Sequence, residues 1–194
     1  MGREFELKYR AEEGKIAAIR EKYGDFETFS METAYYDNAN RALSPLHWTL
    51  RRRYENGSAV CTLKTPAAGH ARNEWEVSAP TIEEAIGLLV AAGAPAELEA
   101  VAVRTLIALC GARFTRLAST ITADGCTVEL ALDRGVLTGG EKALPFTELE
   151  VELKSGSDAA AIAFANLLAL RFDLTPEHRS KHHRALLLTR NDTD

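Results

Sequence analysis

Glutamates recur at every second position in two stretches, Glu4-Phe5-Glu6-Leu7-Lys8 and Glu148-Leu149-Glu150-Val151-Glu152. Arg51 and Arg53 are spaced the same way. Arg72, Glu74 and Glu76 alternate with Asn73, Trp75 and Val77, and Glu129 and Asp133 lie opposite Val128, Leu130 and Leu132. On a strand, residues i and i+2 share a face and stand roughly 7 Å apart, so each set is a row of charge backed by apolar side chains. Rows of both signs suit one kind of ligand, an anion accompanied by its metal. Arg forks and Lys ammoniums bind phosphate oxygens. Mg²⁺ or Mn²⁺ prefers oxygen ligands, and carboxylates together with substrate phosphates supply them.

A sheet with one wet face and one packed face produces the same alternation. Two details argue for more. Glutamate is a poor strand former, and three at i, i+2, i+4 repel one another, an arrangement a solvated face does not need. The opposite face of these strands is apolar and the helices carry apolar stripes. If the helices cover the outside, the charged rows point into a closed or strongly curved sheet. A triphosphate carries several negative charges, so an interior holding both signs could take it with its metal, whereas unpaired buried charge would be costly.

The elements that must position these rows are short and hairpin-rich. Strands are expected over 26–37, 46–54, 59–65, 72–79, 113–122, 126–133 and 146–154, with a further one around Phe5-Leu7-Tyr9. Asn56-Gly57 and Asp124-Gly125 read as hairpin turns. Helical spacing appears over 15–23, 82–90, 96–109, 157–170 and 181–189, and Thr81-Ile82-Glu83-Glu84 is a capping box. Roughly eight strands with helices inserted between them make an α+β pattern.

At these same residues the chain resembles the CYTH superfamily, the triphosphate tunnel metalloenzymes. The resemblance spans nearly the whole chain. It rests on Glu4-x-Glu6-x-Lys8, Tyr35-Tyr36-Asp37, Leu50-Arg51-Arg52-Arg53, Thr62-Leu63-Lys64, Arg72-Asn73-Glu74-Trp75-Glu76, Arg116, and Ser180-Lys181. The stretches from Glu129 to Gly135 and from Glu148 to Leu153 are similar to those of bacterial inorganic triphosphatases. The resemblance implies an eight-stranded antiparallel β-barrel, open as a tunnel with helices packed outside, over one unit of 1–194. It implies Mg²⁺ or Mn²⁺ on Glu4, Glu6, Glu150 and Glu152, with Glu148 ligating or holding a metal-bound water. It gives Lys8, Arg51, Arg53, Lys64, Arg72, Arg116 and Lys181 to the phosphates, with Lys8 also among the catalytic residues. Glu74, Glu76, Glu129 and Asp133 would orient those cations. His47-Trp48 and His182-His183 depart from the family pattern.

Composition sets the outer limits. The 194 residues carry 23 Lys+Arg against 28 Asp+Glu, a net charge of −5, which disfavours binding of duplex nucleic acid. No apolar run is long enough for a membrane helix and no signal-peptide core follows Met1, so a cytoplasmic protein is expected; the resemblance to bacterial triphosphatases implies a bacterial one. Three well-separated cysteines fit a reducing compartment. His178 and His182 are four apart, but without a zinc-binding pattern a solvated or capping role is expected for them. The expected activity is metal-dependent hydrolysis of tripolyphosphate to pyrophosphate and phosphate. A class IV adenylate cyclase, a thiamine triphosphatase and a non-catalytic polyphosphate or nucleotide module are the alternatives. The expected partner is a triphosphate small molecule, with a homodimer possible. Trp48 and Trp75 should both face away from the charged rows, leaving no aromatic pair there to sandwich a base.

Overall fold

The computed structural model describes residues 2–68 and 71–190; the ends of the expected 1–194 unit lie outside them. Its strands are β1 (Gly2–Arg10), β2 (Glu27–Asn38), β3 (Thr49–Glu55), β4 (Ser58–Pro66), β5 (Ala71–Ser78), β6 (Leu106–Ala123), β7 (Cys126–Gly139), β8 (Lys142–Gly156) and the short β9 (Thr175–Pro176). The helices are α1 (Glu13–Tyr23), α2 (Ile82–Ala91), α3 (Glu97–Ala102), α4 (Asp158–Phe172) and α5 (Lys181–Leu188). Pairing runs β5-β4-β3-β2-β6-β7-β8-β1, and β1 pairs with β5 to close an eight-stranded antiparallel barrel; β9 lies beside β1. The expected barrel is therefore present.

Local chemistry explains the hairpins. Asn56 and Gly57 both take positive φ, 48° and 88°, the pair of left-handed residues that matches strand twist in a two-residue turn. At α2, Thr81 accepts a hydrogen bond from the Glu84 amide at 3.2 Å, as its capping box requires.

Two apolar clusters sit outside the barrel. Leu50, Leu63 and Trp75 pack against Ile82, Leu89 and Leu98 of α2 and α3. Phe5, Val128, Leu130, Leu149 and Val151 pack against Ile19 of α1 and Ala161, Ala165 and Leu168 of α4. A third cluster brings Met31, Tyr35, Phe114, Leu137 and Phe146 together with Ala185 of α5. The alternation thus sends charge inward on β1, β3, β5 and β8, but β2 breaks the rule: Phe29, Met31 and Tyr35 line the interior.

The α5 helix lies close against β7. A Cβ placed on Gly139 would fall 2.4 Å from the Ala185 carbonyl oxygen, so only glycine lets the helix approach this closely.

Three stretches depart from the sequence reading. The helix expected over 96–109 stops at Ala102, and Leu106 opens β6 instead. The apolar run there has no period that separates strand from helix, and pairing with Asn38, Asp37 and Tyr36 of β2 decides it. The strands β6, β7 and β8 also run well beyond the expected limits, and β9 was not foreseen. No helix among the described residues is long and apolar enough to cross a membrane.

Candidate active site

Inside the barrel is a cavity of about 1020 Å³. Glu4, Glu6 and Lys8 reach it from β1, Arg51 and Arg53 from β3, Lys64 from β4, and Arg72, Glu74 and Glu76 from β5. Arg116 enters from β6, Glu129 from β7, Glu150 and Glu152 from β8, and Lys181 from α5. Strand alternation and barrel closure bring together groups that span almost the whole sequence.

The charges pair in two patterns. On the β1 side each carboxylate leans on its nearest cation: Glu4 on Lys64, and Glu6 on Lys8 at 2.7 Å. Lys64 also meets Glu74 at 3.4 Å, and Arg51 meets Glu74 at 3.7 Å. Glu76 accepts from the Thr62 hydroxyl at 3.2 Å. On the other side Arg116 grips Asp133 with two nitrogens, at 2.8 and 2.7 Å, and also bonds Glu150. Its third acidic neighbour is Glu129 at 3.9 Å. The Lys181 ammonium bonds Asp133 at 2.7 Å, Glu150 at 2.8 Å and Glu148.

Glu148, expected beside the metal, lies behind the cavity wall instead. It is 0% exposed, and its two oxygens meet Lys181 and Arg184. Asp133 is also out of the cavity, under Arg116 and Lys181.

Protonation preferences follow this pairing. Burial raises the Glu4 carboxyl, and Glu6 and Glu74 add to the rise against Lys64. Burial and Glu150 push Glu6 up, but Lys8 and Lys64 outweigh them and hold it low. Burial also opposes ionisation of Glu150, yet Lys181, Arg116 and Lys8 keep it well below the usual carboxylate range. The Lys181 ammonium loses to burial and gains more from Asp133, Glu150 and Glu148, so it stays charged. Arg53 is lowered by burial and then by Arg51 and Arg116, the signature of crowded positive charge. Crowded cations of this kind gain from a polyanion.

Two acidic sets could be considered for a metal. Asp133, Glu148 and Glu150 offer oxygens within 4.8 Å of one another. The Lys181 ammonium already bonds all three, so that set serves a cation of the chain itself. Glu4, Glu6 and Glu152 are hard oxygen donors on the cavity wall, and Glu4 Oε2 is buried without a hydrogen-bond partner. A buried carboxylate oxygen with nothing to accept from is suited to a hard divalent ion. Because Glu4, Glu6 and Glu152 are drawn to Lys64, Lys8 and Lys154 respectively, they do not form a cluster as tight as the Lys181 set.

Several cavity residues were not foreseen. Lys154 continues the β8 alternation past Glu152 and was readable in principle, as was Arg184, which pairs with Glu148 behind the cavity wall three residues after Lys181. Tyr35 was not, and His182 does not take the solvated role expected of it. The two rings are in contact, with centroids 4.9 Å apart, and His182 Nδ1 is 3.4 Å from Thr49 Oγ1. Burial, then Arg72 and His183, lower the His182 imidazole to about 4, which leaves it neutral at pH 7. The cavity therefore holds a pair of rings in contact with each other. Tyr35 is 4% exposed, however, so the pair is closed on itself and offers no open sandwich. Trp48 and Trp75 belong to the outer cluster, as expected.

A closed antiparallel barrel whose interior carries carboxylates and guanidiniums in facing rows has the charge pattern that suits a polyanion and its counter-ion. The CYTH domain matches residues 2–186, and the chain belongs to this family. It is 27% identical over 173 residues to the inorganic triphosphatase of Haemophilus influenzae, covering 84% of this chain and 47% of that protein. The chain thus spans about half the length of that relative. Solved structures share the fold. The PH1819 protein of Pyrococcus horikoshii superposes with a TM-score of 0.64 at 21% identity, over 95% of this chain and 98% of that one. HpAC1 from Hippeastrum, a proposed adenylyl cyclase with dominant triphosphatase activity, superposes with a TM-score of 0.67 at 16% identity, over 94% and 93%.

Proposed function

We propose that the chain hydrolyses inorganic triphosphate to pyrophosphate and phosphate, with Mg²⁺ or Mn²⁺ held by Glu4, Glu6, Glu150 and Glu152. The observation that carries this reading is the two-signed tunnel: cations from β1, β3, β4, β5, β6 and α5 line one cavity with those carboxylates. A phosphate-binding module needs the cations alone. The similarity to an inorganic triphosphatase supports the same reading.

Arg51, Arg53, Lys64, Arg72 and Arg116 bind the phosphate oxygens and neutralise charge that spreads over them as the bond breaks. Arg51 Nε is buried without a partner and is ready to donate. Glu74 holds Arg51 and Lys64 in place, and Asp133 fixes the Arg116 fork. Glu148, through Lys181, supports the wall rather than the ion. The bound divalent ion supplies Lewis-acid polarisation of a phosphoryl oxygen and a more acidic water. Lys8, which lines the cavity beside Glu6, would join the arginines and Lys64 in neutralising phosphate charge.

The test is a product screen over tripolyphosphate, ATP and thiamine triphosphate with Mg²⁺ or Mn²⁺. Tripolyphosphate should show the highest kcat/KM, and ATP little or no cyclic AMP. Robust cyclic AMP and pyrophosphate from ATP, with tripolyphosphate only inhibiting, would overturn the assignment in favour of a cyclase. Binding without any product would reduce the chain to a polyphosphate module.

A further inference from the structure

The first turn of α5 touches opposite walls of the barrel. In the closed order of strands, β3 and β8 stand four places apart in either direction, so they face each other across the lumen. Lys181 reaches β8 through Glu148 and Glu150. The next residue, His182, reaches β3 at Thr49 and lays its ring against Tyr35 of β2. Two consecutive side chains therefore bridge the diameter. An eight-stranded barrel has an interior only wide enough for side chains or one small ligand, so such a bridge occupies its cross-section. The β3 end of the bridge is uncharged and aromatic, unlike the cationic wall of Arg51, Lys64 and Arg72 beside it. The rings themselves carry no counter-charge for a further phosphate and stand in the way of one.

We propose that His182 is a specificity-determining residue: with Thr49 and Tyr35 it closes the tunnel at this level, so a substrate must enter with a free phosphate terminus leading. This rests on the triphosphatase reading above. Tripolyphosphate and singly esterified triphosphates meet the condition. A triphosphate esterified at both ends does not, because neither end can advance past an organic group to the bridge.

The experiment compares tripolyphosphate with diadenosine triphosphate, in turnover with Mg²⁺ and in equilibrium binding by calorimetry. The wild-type chain should prefer tripolyphosphate at least a hundredfold in both. His182→Ala should narrow that ratio tenfold or more, through a gain for the doubly esterified compound. His182→Gln, which can still bond Thr49, should restore the wild-type ratio. Thr49→Val keeps the ring and removes its hydrogen bond, and should narrow the ratio by a smaller factor; it decides the matter should His182→Ala unfold α5. Equal handling of the two compounds by the wild type, or an unchanged ratio in folded His182→Ala, overturns the proposal. If the wild type hydrolyses neither compound, the triphosphatase reading fails, while the binding ratio still decides the role of His182.

Discussion

The two carboxylate-rich sides of the barrel are built from the same residue types and end in opposite states. Around β7, β8 and α5, Asp133, Glu148 and Glu150 are each ion-paired with two of Lys181, Arg116 and Arg184, although Glu148 Oε1 and Arg184 Nε, like Glu4 Oε2, lack a hydrogen bond. Along β1, Glu4 has one oxygen engaged by Lys64 and the other buried with no partner. Shared ion pairing fixes structure, because each charge leans on several others and breaking one contact strands another. A carboxylate with spare valence can exchange its cation for a ligand at little cost to the fold. The first side holds α5 in place, with Glu150 shared between that network and the cavity, and the second keeps an open valence toward the cavity.

The sharpest way to break this contrast is to neutralise the spare carboxylate. Glu4→Gln should abolish metal-dependent phosphate release while changing the free energy of urea unfolding by less than about 1 kcal/mol, in line with an ordinary polar substitution. Wild-type turnover in that variant, or full activity in excess EDTA, would falsify the metal assignment. On the α5 side the effect should fall on stability instead. Glu148→Ala leaves Lys181 and Arg184 short of a counter-charge in the interior and should cost about 3–5 kcal/mol in denaturant unfolding. If it unfolds at the same midpoint as Glu4→Gln, the two sides do not differ in the way described.

Acid should loosen the α5 bridge. The His182 imidazole is depressed to about 4, against an ordinary value near 6.5. Between those two pH values the unfolded chain binds a proton there that the folded chain does not, so stability falls as pH falls through the window. The contribution is at most about 3 kcal/mol. Thermal unfolding of wild type and His182→Gln from pH 7 to 4.5 should show the smaller loss in the variant. Parallel curves would remove His182 from the acid response. The smallest effects are expected from the cationic wall. Arg51→Ala and Lys64→Ala should each lower kcat/KM for tripolyphosphate by about 1.5–3 kcal/mol, the range of single charge-assisted hydrogen bonds. A loss confined to kcat would place either residue closer to the breaking bond than to the substrate's resting phosphates.

Much of this site could be read from alternation alone, because on β1, β3, β5 and β8 the chemistry and the fold use the same period. Charge at i, i+2 had to share a face, and the apolar backing had to meet the helices. The period fails on β2, where the inward face is Phe29, Met31 and Tyr35. There the lumen is lined by apolar side chains that sequence assigns to a core, and a register shift after Tyr35 leaves Leu109 of β6 out of the pairing. The strand at Leu106 was hidden for a related reason: a short apolar run fits a helix as well as a buried strand until a neighbour captures it. The fate of Glu148 was not local information either. It has the same spacing as Glu150 and Glu152, and only the arrival of α5 over β7 and β8 distinguishes it.

Barrel closure through β1 has a consequence for synthesis. Its first residues, Gly2 to Phe5, pair with β5, and its later ones, Glu6 to Arg10, pair with β8. Of the eight barrel strands, the one made first is thus a keystone, seated between β5 and β8, the last barrel strand to be made. Until β8 has emerged, Glu6 and Lys8 have no strand to lie against. Such distant pairings are slow to form, since the chain loses loop entropy before any contact compensates. A nascent chain therefore carries Glu6 and Lys8 on an unpaired edge until β8 emerges, and the charged interior closes only with the last hairpin and α5.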